Sequence, residues 1–112
     1  MTSTEDGDFV FVYSTFPDRV SAERLARVLV EQKLAACVNV HGPMASFYRW
    51  EGKVENAEEF AAFIKTRRSL ASAVVATAKP LHPYSVPCFL VLPIEAGNPE
   101  YLAWASLETQ RS

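Results

Sequence analysis

The sequence contains little cysteine, histidine or glycine, and it lacks a long apolar segment. Two cysteines, two histidines and four glycines occur among its 112 residues. The longest apolar run, residues 86–94, contains two prolines and is far shorter than the ~20 residues that a membrane-spanning helix requires. The first eight residues are polar and acidic, unlike the basic and apolar start of a secretory signal. We therefore expect no membrane partner, and we expect residues 1–8 to form a frayed terminus.

The chain also lacks an excess of positive charge. Its 11 Lys and Arg residues are outnumbered by 13 Asp and Glu residues, which gives a formal net charge of −2. The chain therefore lacks the excess of positive charge that would indicate a nucleic-acid partner. Hydrophobic residues make up 49% of the chain and charged residues 21%, as is typical of a globular protein. At this length we predict a single domain over residues 9–112.

The two cysteines are predicted to be unpaired thiols. Cys37 and Cys88 form no Cys-x-x-Cys motif, and each lies within an apolar run. Because no export signal is present, we expect a reducing, cytoplasmic location. Each cysteine is then expected to be a buried small hydrophobic residue, and the apolar neighbours of Cys37 should keep its thiol inert.

The hydrophobic pattern predicts strands and helices in the order βαββαβ, followed by a short helix. β-Branched and aromatic runs indicate strands, and apolar residues at helical spacing indicate helices. Asp18 and Asn98 are suited to cap helix starts. The predicted strands are 9–14, 36–40, 60–65 (the core of a returning strand) and 88–92. The second of these strands is predicted to be interrupted at Gly42-Pro43 and to resume over 45–50. The predicted helices run from Asp18 to near Lys33, over 69–79, and from 98 onward. This order predicts an α+β, ferredoxin-like sandwich with both crossover helices on one face of the sheet.

The second predicted strand is too long for a compact domain of this size. Residues 36–50 would span about 50 Å at about 3.3 Å per residue, whereas a chain of this length has an expected radius of gyration of ~13 Å. The strand must therefore bend at Gly42-Pro43, or project past its own sheet and pair with a neighbouring subunit. An unpaired edge that carries Phe47, Tyr48 and Trp50 would otherwise aggregate.

Short motifs along nearly the whole chain resemble those of the CutA family of divalent-cation tolerance proteins. They are Ser14-Thr15-Phe16-Pro17-Asp18, Leu34-Ala35-Ala36-Cys37, Ser46-Phe47-Tyr48-Arg49-Trp50-Glu51-Gly52-Lys53, Lys65-Thr66, His82-Pro83-Tyr84, Pro87 and Tyr101-Leu102-Ala103-Trp104. The resemblance implies a ferredoxin-like fold assembled as a homotrimer, similar to the PII signalling proteins. It also implies a role in tolerance of copper and other divalent metals, with no enzymatic reaction and no required cofactor.

His82 is the residue best suited to bind a metal ion, because neutral imidazole is a good ligand for copper and similar ions. The resemblance also implies two differences from bacterial family members that have a proposed copper site. Those members carry a cysteine where this chain has Ser14, and a second histidine where this chain has Leu81. A useful site here would need further ligands from Cys88, Glu51 or another subunit. The alternative is a histidine whose nitrogens bind only backbone or water.

Aromatic and charged residues surround the predicted turn between the second and third strands. Tyr48, Trp50, Glu51 and Lys53 could line a small-molecule cleft, or they could anchor a subunit interface. A cleft between subunits would satisfy both interpretations. Tyr84, in the His82 motif, is assigned to the same cleft.

Three cations occur within four residues near the predicted start of the second helix. Lys65, Arg67 and Arg68 could hold an anionic ligand, or they could form an ordinary solvated edge. We assign Lys65 to the ligand cleft or interface. We assign no role to His41, which lies beside a predicted turn.

Two other functions use the same fold class. An acylphosphatase-type hydrolase would need an anion-binding arginine and an amide to position water, for which Arg19 and Asn39 are candidates. A trimeric scaffold or PII-like signalling protein would need neither a metal nor a catalytic group. The resemblance favours a non-enzymatic homotrimer that binds a metal or small ligand in clefts between its subunits.

Overall fold

The computed structural model describes residues 8–110, which form one antiparallel sheet with three α-helices. The strands are β1 (Phe9–Phe16), β2 (Cys37–Trp50), β3 (Lys53–Arg67) and β4 (Leu90–Ile94), and the helices are α1 (Arg19–Glu31), α2 (Ala71–Ala78) and α3 (Pro99–Glu108). The strand order across the sheet is β2-β3-β1-β4. This order is that of a ferredoxin-like fold, so the predicted fold class is confirmed. Residues 1–7 of the predicted frayed terminus lie outside the described residues.

Both predicted helix caps are present. The Asp18 carboxylate accepts a hydrogen bond from the Ser21 backbone N–H at 2.7 Å, at the start of α1. The Asn98 side chain accepts from the Glu100 N–H at 3.1 Å, at the start of α3. Each cap satisfies a backbone donor that the first helical turn leaves without a partner. Helix α2 is shorter than predicted, because short 3₁₀ turns at 68–70 and 79–81 replace its ends.

The sheet has one covered face and one largely open face. Helices α1 and α2 pack on alternate residues of β1 and β3, with Val10, Val12, Phe16 and Ile64 among the fully buried side chains. On the other face, α3 covers one end through Leu102 and Ala105. The remainder of that second face, which we call the open face, carries a cluster of rings. Their centroid distances to the Phe63 ring are 6.0 Å for Phe11, 5.1 Å for Tyr13 and 5.5 Å for His41.

Strands β2 and β3 form a hairpin that projects beyond the helices. β2 continues through Gly42-Pro43, where the register shifts, so the predicted interruption is wrong. Glycine is required at position 42, because its φ is 147° and an added Cβ would overlap the Phe60 ring. The molecule therefore measures 50 × 25 × 21 Å, and the strand projects rather than bends away. At the end of the hairpin, Phe47 is 72% exposed and Trp50 is 63% exposed.

Differences from the predicted boundaries are otherwise small. β3 begins at Lys53 and runs continuously to Arg67, and β4 begins at Leu90 rather than at Cys88. Within residues 8–110 no helix is both long enough and apolar enough to cross a membrane.

Candidate functional site

The candidate site lies at the carboxyl end of β1, where the segment after α2 crosses the sheet. His82 is the centre of this site, and only 8% of its surface is exposed. Its ring stacks on Phe16 at a centroid distance of 4.4 Å and meets Phe89 edge-on at 5.6 Å. The fold therefore places His82 inside the packed end of the domain.

Both ring nitrogens of His82 have hydrogen-bond partners in the same subunit. Nδ1 accepts from the Tyr84 backbone N–H at 3.1 Å, so it carries no proton. The proton of the neutral ring is then on Nε2, which donates to the Thr15 carbonyl oxygen at 2.9 Å and lies 3.2 Å from Ser14 Oγ. Burial lowers the pKa of His82, an effect that outweighs the opposing influence of the Thr15 carbonyl and Glu59. The histidine is thus neutral, and it links β1 to the segment that follows α2.

Tyr84 extends the site towards the open face. Its hydroxyl donates to Glu59 Oε2 at 2.7 Å. Burial and the Glu59 carboxylate raise the pKa of Tyr84 well above its usual value, with smaller contributions from Tyr48 and Asp18. Tyr84, a predicted cleft residue, is therefore joined to Glu59 of β3.

Cys88 and Tyr13 complete the same region. Burial raises the pKa of the Cys88 thiol, and the Glu59 carboxylate raises it further. The pKa of Tyr13 is raised by burial and by the charges of Cys88 and Glu59. At neutral pH the site thus contains a neutral imidazole, two protonated phenols and a protonated thiol around one carboxylate.

Sequence reasoning missed Glu59 and Tyr13. Alternation along β3 places Glu59 on the open face together with Ala61 and Phe63, which is a signal that the sequence contains. Its contact with Tyr84 joins residues that are 25 positions apart, and the chain path that creates it could not be read from a local pattern.

The residues of the hairpin turn are separated from His82 within one subunit. Glu51 and Gly52 form the turn with φ values of 50° and 81°. Lys53 lies six residues from Glu59 along β3, a distance of about 20 Å at about 3.3 Å per residue. Within one subunit, Glu51 therefore lies far from His82, and Trp50 and Lys53 lie far from Tyr84. That these residues meet across a subunit boundary stays a prediction.

The predicted cation cluster is also divided. Lys65 Nζ donates to Tyr101 Oη at 3.3 Å on the side of α3. Arg67 instead binds the carboxyl end of α3, through Thr109 Oγ1 at 2.9 Å and the Ser106 carbonyl oxygen. Thr66 is buried and donates to the Leu34 carbonyl oxygen. Lys65 therefore lies beside Tyr101 of α3 and away from Tyr84, which contacts Glu59, and Lys65 and Arg67 engage different residues of α3.

The residues proposed for a hydrolase do not meet. Arg19 donates to the Gly42 carbonyl oxygen at 3.0 Å and lies over the Phe60 ring on the side of α1. Asn39 pairs with Phe63 in the sheet register, and its side chain belongs to the open face. The sheet thus separates the two groups, which contradicts the acylphosphatase-type arrangement.

Both cysteines are free and half-buried, so the expected burial of Cys37 and of Cys88 is wrong. Residues 8–110 contain no group of three or more His, Cys, Asp or Glu side chains placed to hold a metal ion. With both nitrogens of His82 engaged, the described residues of one subunit do not fit a metal ion without rearrangement.

Comparison with known proteins gives consistent matches over most of the chain. Residues 10–108 match the family model described as CutA1 divalent ion tolerance protein. The divalent-cation tolerance protein CutA of Archaeoglobus fulgidus is 48% identical over 94 residues, which cover 84% of this chain and 91% of that protein. A CutA homologue of Xenopus laevis is 47% identical over 88% of this chain, but the match spans only 65% of that longer protein.

The fold comparison agrees with these matches. The solved structure of a protein described as the periplasmic divalent cation tolerance protein CutA of Archaeoglobus fulgidus superimposes with a TM-score of 0.88. It is 44% identical in sequence, and the match covers 91% of this chain and 99% of that one. The similarity therefore includes the sheet, the helices and the projecting hairpin as a whole.

Proposed function

The chain belongs to the CutA family of divalent-cation tolerance proteins, and from that premise we propose that it acts as a non-enzymatic homotrimer in copper tolerance. In this proposal the subunits bind copper, or a small ligand, in the clefts between them. We also propose a cytoplasmic location, which the two free thiols support.

The observation that carries the proposal is the projecting hairpin. Its end exposes Phe47, Tyr48, Trp50 and Val54, and no helix of the same subunit covers it within residues 8–110. The open face adds the rings around Phe63, and the edge strand β4 adds exposed Leu90, Val91 and Leu92. Large exposed apolar surfaces of this kind mark interaction sites. A second subunit seated against the hairpin would bury them. The number three is what the resemblance to the CutA family implies.

The copper ion would have to lie between subunits, because residues 8–110 of one subunit contain no group of three or more His, Cys, Asp or Glu side chains placed to bind a metal ion. His82 and Cys88 are at the end of β1, and the Glu51 carboxylate is at the tip of a hairpin long enough to reach a neighbour. Binding at His82 Nδ1 would displace the Tyr84 N–H from that nitrogen. That displacement has a cost, so we expect weaker binding than in relatives with additional ligands.

The test is the molar mass in solution together with a hairpin variant. Multi-angle light scattering at micromolar subunit concentration should give three times 12.5 kDa. Trp50→Ala should shift the mass towards the monomer, whereas Val20→Ala, which shortens an apolar side chain exposed on α1, should not. A monomeric wild type, or identical behaviour of the two variants, would contradict the proposal.

A PII-like scaffold without a metal role is the second candidate. The observation that favours it is the engagement of both nitrogens of His82, which leaves the exposed apolar surface as the main functional feature. Partners that bind the His82→Ala and wild-type proteins equally well, with no copper effect on either, would favour the scaffold.

A further inference from the structure

A pocket lies between α3 and the end of the sheet that α3 covers, away from His82. It has a volume of about 140 Å³. Phe9, Phe11, Ile94, Leu102 and Ala105 form its apolar wall. An engineered apolar cavity of ~150 Å³ holds one benzene molecule. The pocket therefore has the size of a single aromatic ring.

The mouth of this pocket carries two polar groups that are close together. Lys65 Nζ lies 3.3 Å from Tyr101 Oη and 5.4 Å from the centroid of the Tyr101 ring. Because ammonium can only donate, Lys65 is the donor in this contact, and the Tyr101 hydroxyl proton is left to donate elsewhere. Two donors thus sit side by side at the edge of an apolar pocket.

The charge at the mouth has no partner of opposite charge among residues 8–110. Within the described residues Lys65 has no ion-pair partner; the ion pairs there join Arg19 to Glu23 and Arg27 to Glu31 on α1. A carboxylate could accept one hydrogen bond from Lys65 and one from Tyr101. Hydrogen bonds to an ionised group are shorter and stronger than neutral ones.

We propose that this pocket binds a small aromatic carboxylate, with its ring against Phe9, Phe11 and Leu102 and its carboxylate on Lys65 and Tyr101. Neither part of the site would suffice without the other, because one exposed ammonium is a weak anion site and a ring-sized pocket has little apolar area. The inference uses no residue of the His82 site. Because Phe11 lines the pocket and also belongs to the open face, the proposal requires that the trimer leave the mouth at Lys65 and Tyr101 accessible.

The test uses benzoate as the probe and amide chemical shifts of the full-length protein as the readout. Benzoate should cause saturable shifts at Gly97, Leu102 and Ala105, with a dissociation constant on the order of 1 mM. Benzyl alcohol, which has the ring without the charge, should bind at least about tenfold more weakly, because it lacks the charge-assisted bonds.

Three variants separate the two halves of the proposed site. Lys65→Gln should weaken benzoate binding by about tenfold and leave benzyl alcohol nearly unchanged, and Tyr101→Phe should have a smaller effect of the same kind. Ala105→Ile, which fills the pocket, should weaken both probes. Lys79→Gln, a matched loss of an exposed lysine outside the pocket, should change neither.

The structure of each variant is checked by its chemical shifts away from the pocket. If Ala105→Ile fails to fold, the Lys65 and Tyr101 variants still decide the matter. Equal benzoate affinity in wild type and Lys65→Gln would overturn the proposal, as would shifts that map elsewhere or fail to saturate by about 20 mM, some twentyfold above the expected dissociation constant. Mass measurements on the same samples show separately whether the trimer forms.

Discussion

His82→Ala should destabilise the protein strongly, even when no metal is present. The substitution removes a ring that packs between Phe16 and Phe89, and it leaves the Tyr84 N–H and the Thr15 carbonyl without their partner. Loss of the buried ring costs about 2 kcal/mol, and each lost hydrogen bond about 1 kcal/mol. We therefore expect the free energy of unfolding to fall by about 4 kcal/mol per subunit.

The assay is urea-induced unfolding at a fixed subunit concentration, because the stability of an oligomer depends on concentration. His82→Asn is the conservative variant, since its side-chain oxygen can accept from the Tyr84 N–H as Nδ1 does, and it should lose less stability than His82→Ala. Ser85→Ala, an exposed position in the same segment, is the control and should change stability by less than about 0.5 kcal/mol. A His82→Ala protein within about 1 kcal/mol of wild type would refute the structural role.

The free energy of unfolding, measured in the same way, should decrease as the pH falls below about 6.5 because of His82. Burial lowers the pKa of His82 in the folded protein, so on acidification the unfolded chain takes up the proton first. The stability that depends on neutral His82 is fully present above about pH 6.5 and is lost as pH falls from there towards the folded pKa. The wild type should lose up to about 1.4 kcal/mol per pH unit relative to His82→Asn. Parallel profiles for the two proteins would show that His82 does not titrate in this way.

Three further predictions follow from other parts of the molecule. Trp50→Ala should lower the free energy of unfolding by about 3–5 kcal/mol if the trimer buries the indole; unchanged melting and an unchanged mass would exclude an interface role. Gly42→Ala should lower the free energy of unfolding by about 2–3 kcal/mol, because the new Cβ would overlap the Phe60 ring. Gly52→Ala, whose Cβ would enter open space, should lower it by only about 1 kcal/mol because of the positive φ at that position. Equal losses in the two variants would contradict this reasoning. Copper binding measured by calorimetry should disappear in His82→Ala and persist in Cys37→Ala. In the wild type it should weaken only below about pH 6.5, because the pKa of the His82 imidazole is lowered. Equal copper affinity in His82→Ala and wild type would exclude His82 as a ligand.

The fold could be predicted from the sequence because its signals are local. The caps at Asp18 and Asn98, the alternation in β1 and the periodicity of α1 each specify an element, and the element order restricts the topology. The course of β2 through Gly42-Pro43 could not be read in this way. Its continuity depends on the long pairing with β3, which overrides the local break signal.

The site was predictable only in part, for a related reason. A lone histidine after a helix indicates a site, but the sequence does not show whether its nitrogens are free. The Tyr84 N–H that engages Nδ1 is only two residues away, whereas the Thr15 carbonyl that engages Nε2 is 67 residues away in the chain. Strand alternation places Lys65 and Arg67 on the same face of β3, yet they contact different residues of α3 and its C-cap, namely Tyr101 and Thr109. Which residues share a face is local information, but which elements cover that face is not.

The most direct test of the proposed function is a crystal structure determined from copper-soaked crystals with anomalous scattering data. The proposal predicts a trimer with an anomalous peak at each subunit boundary, about 2.0–2.3 Å from His82 and from a ligand of a second subunit. An assembly without anomalous peaks, or with peaks that have ligands from one subunit only, would contradict it.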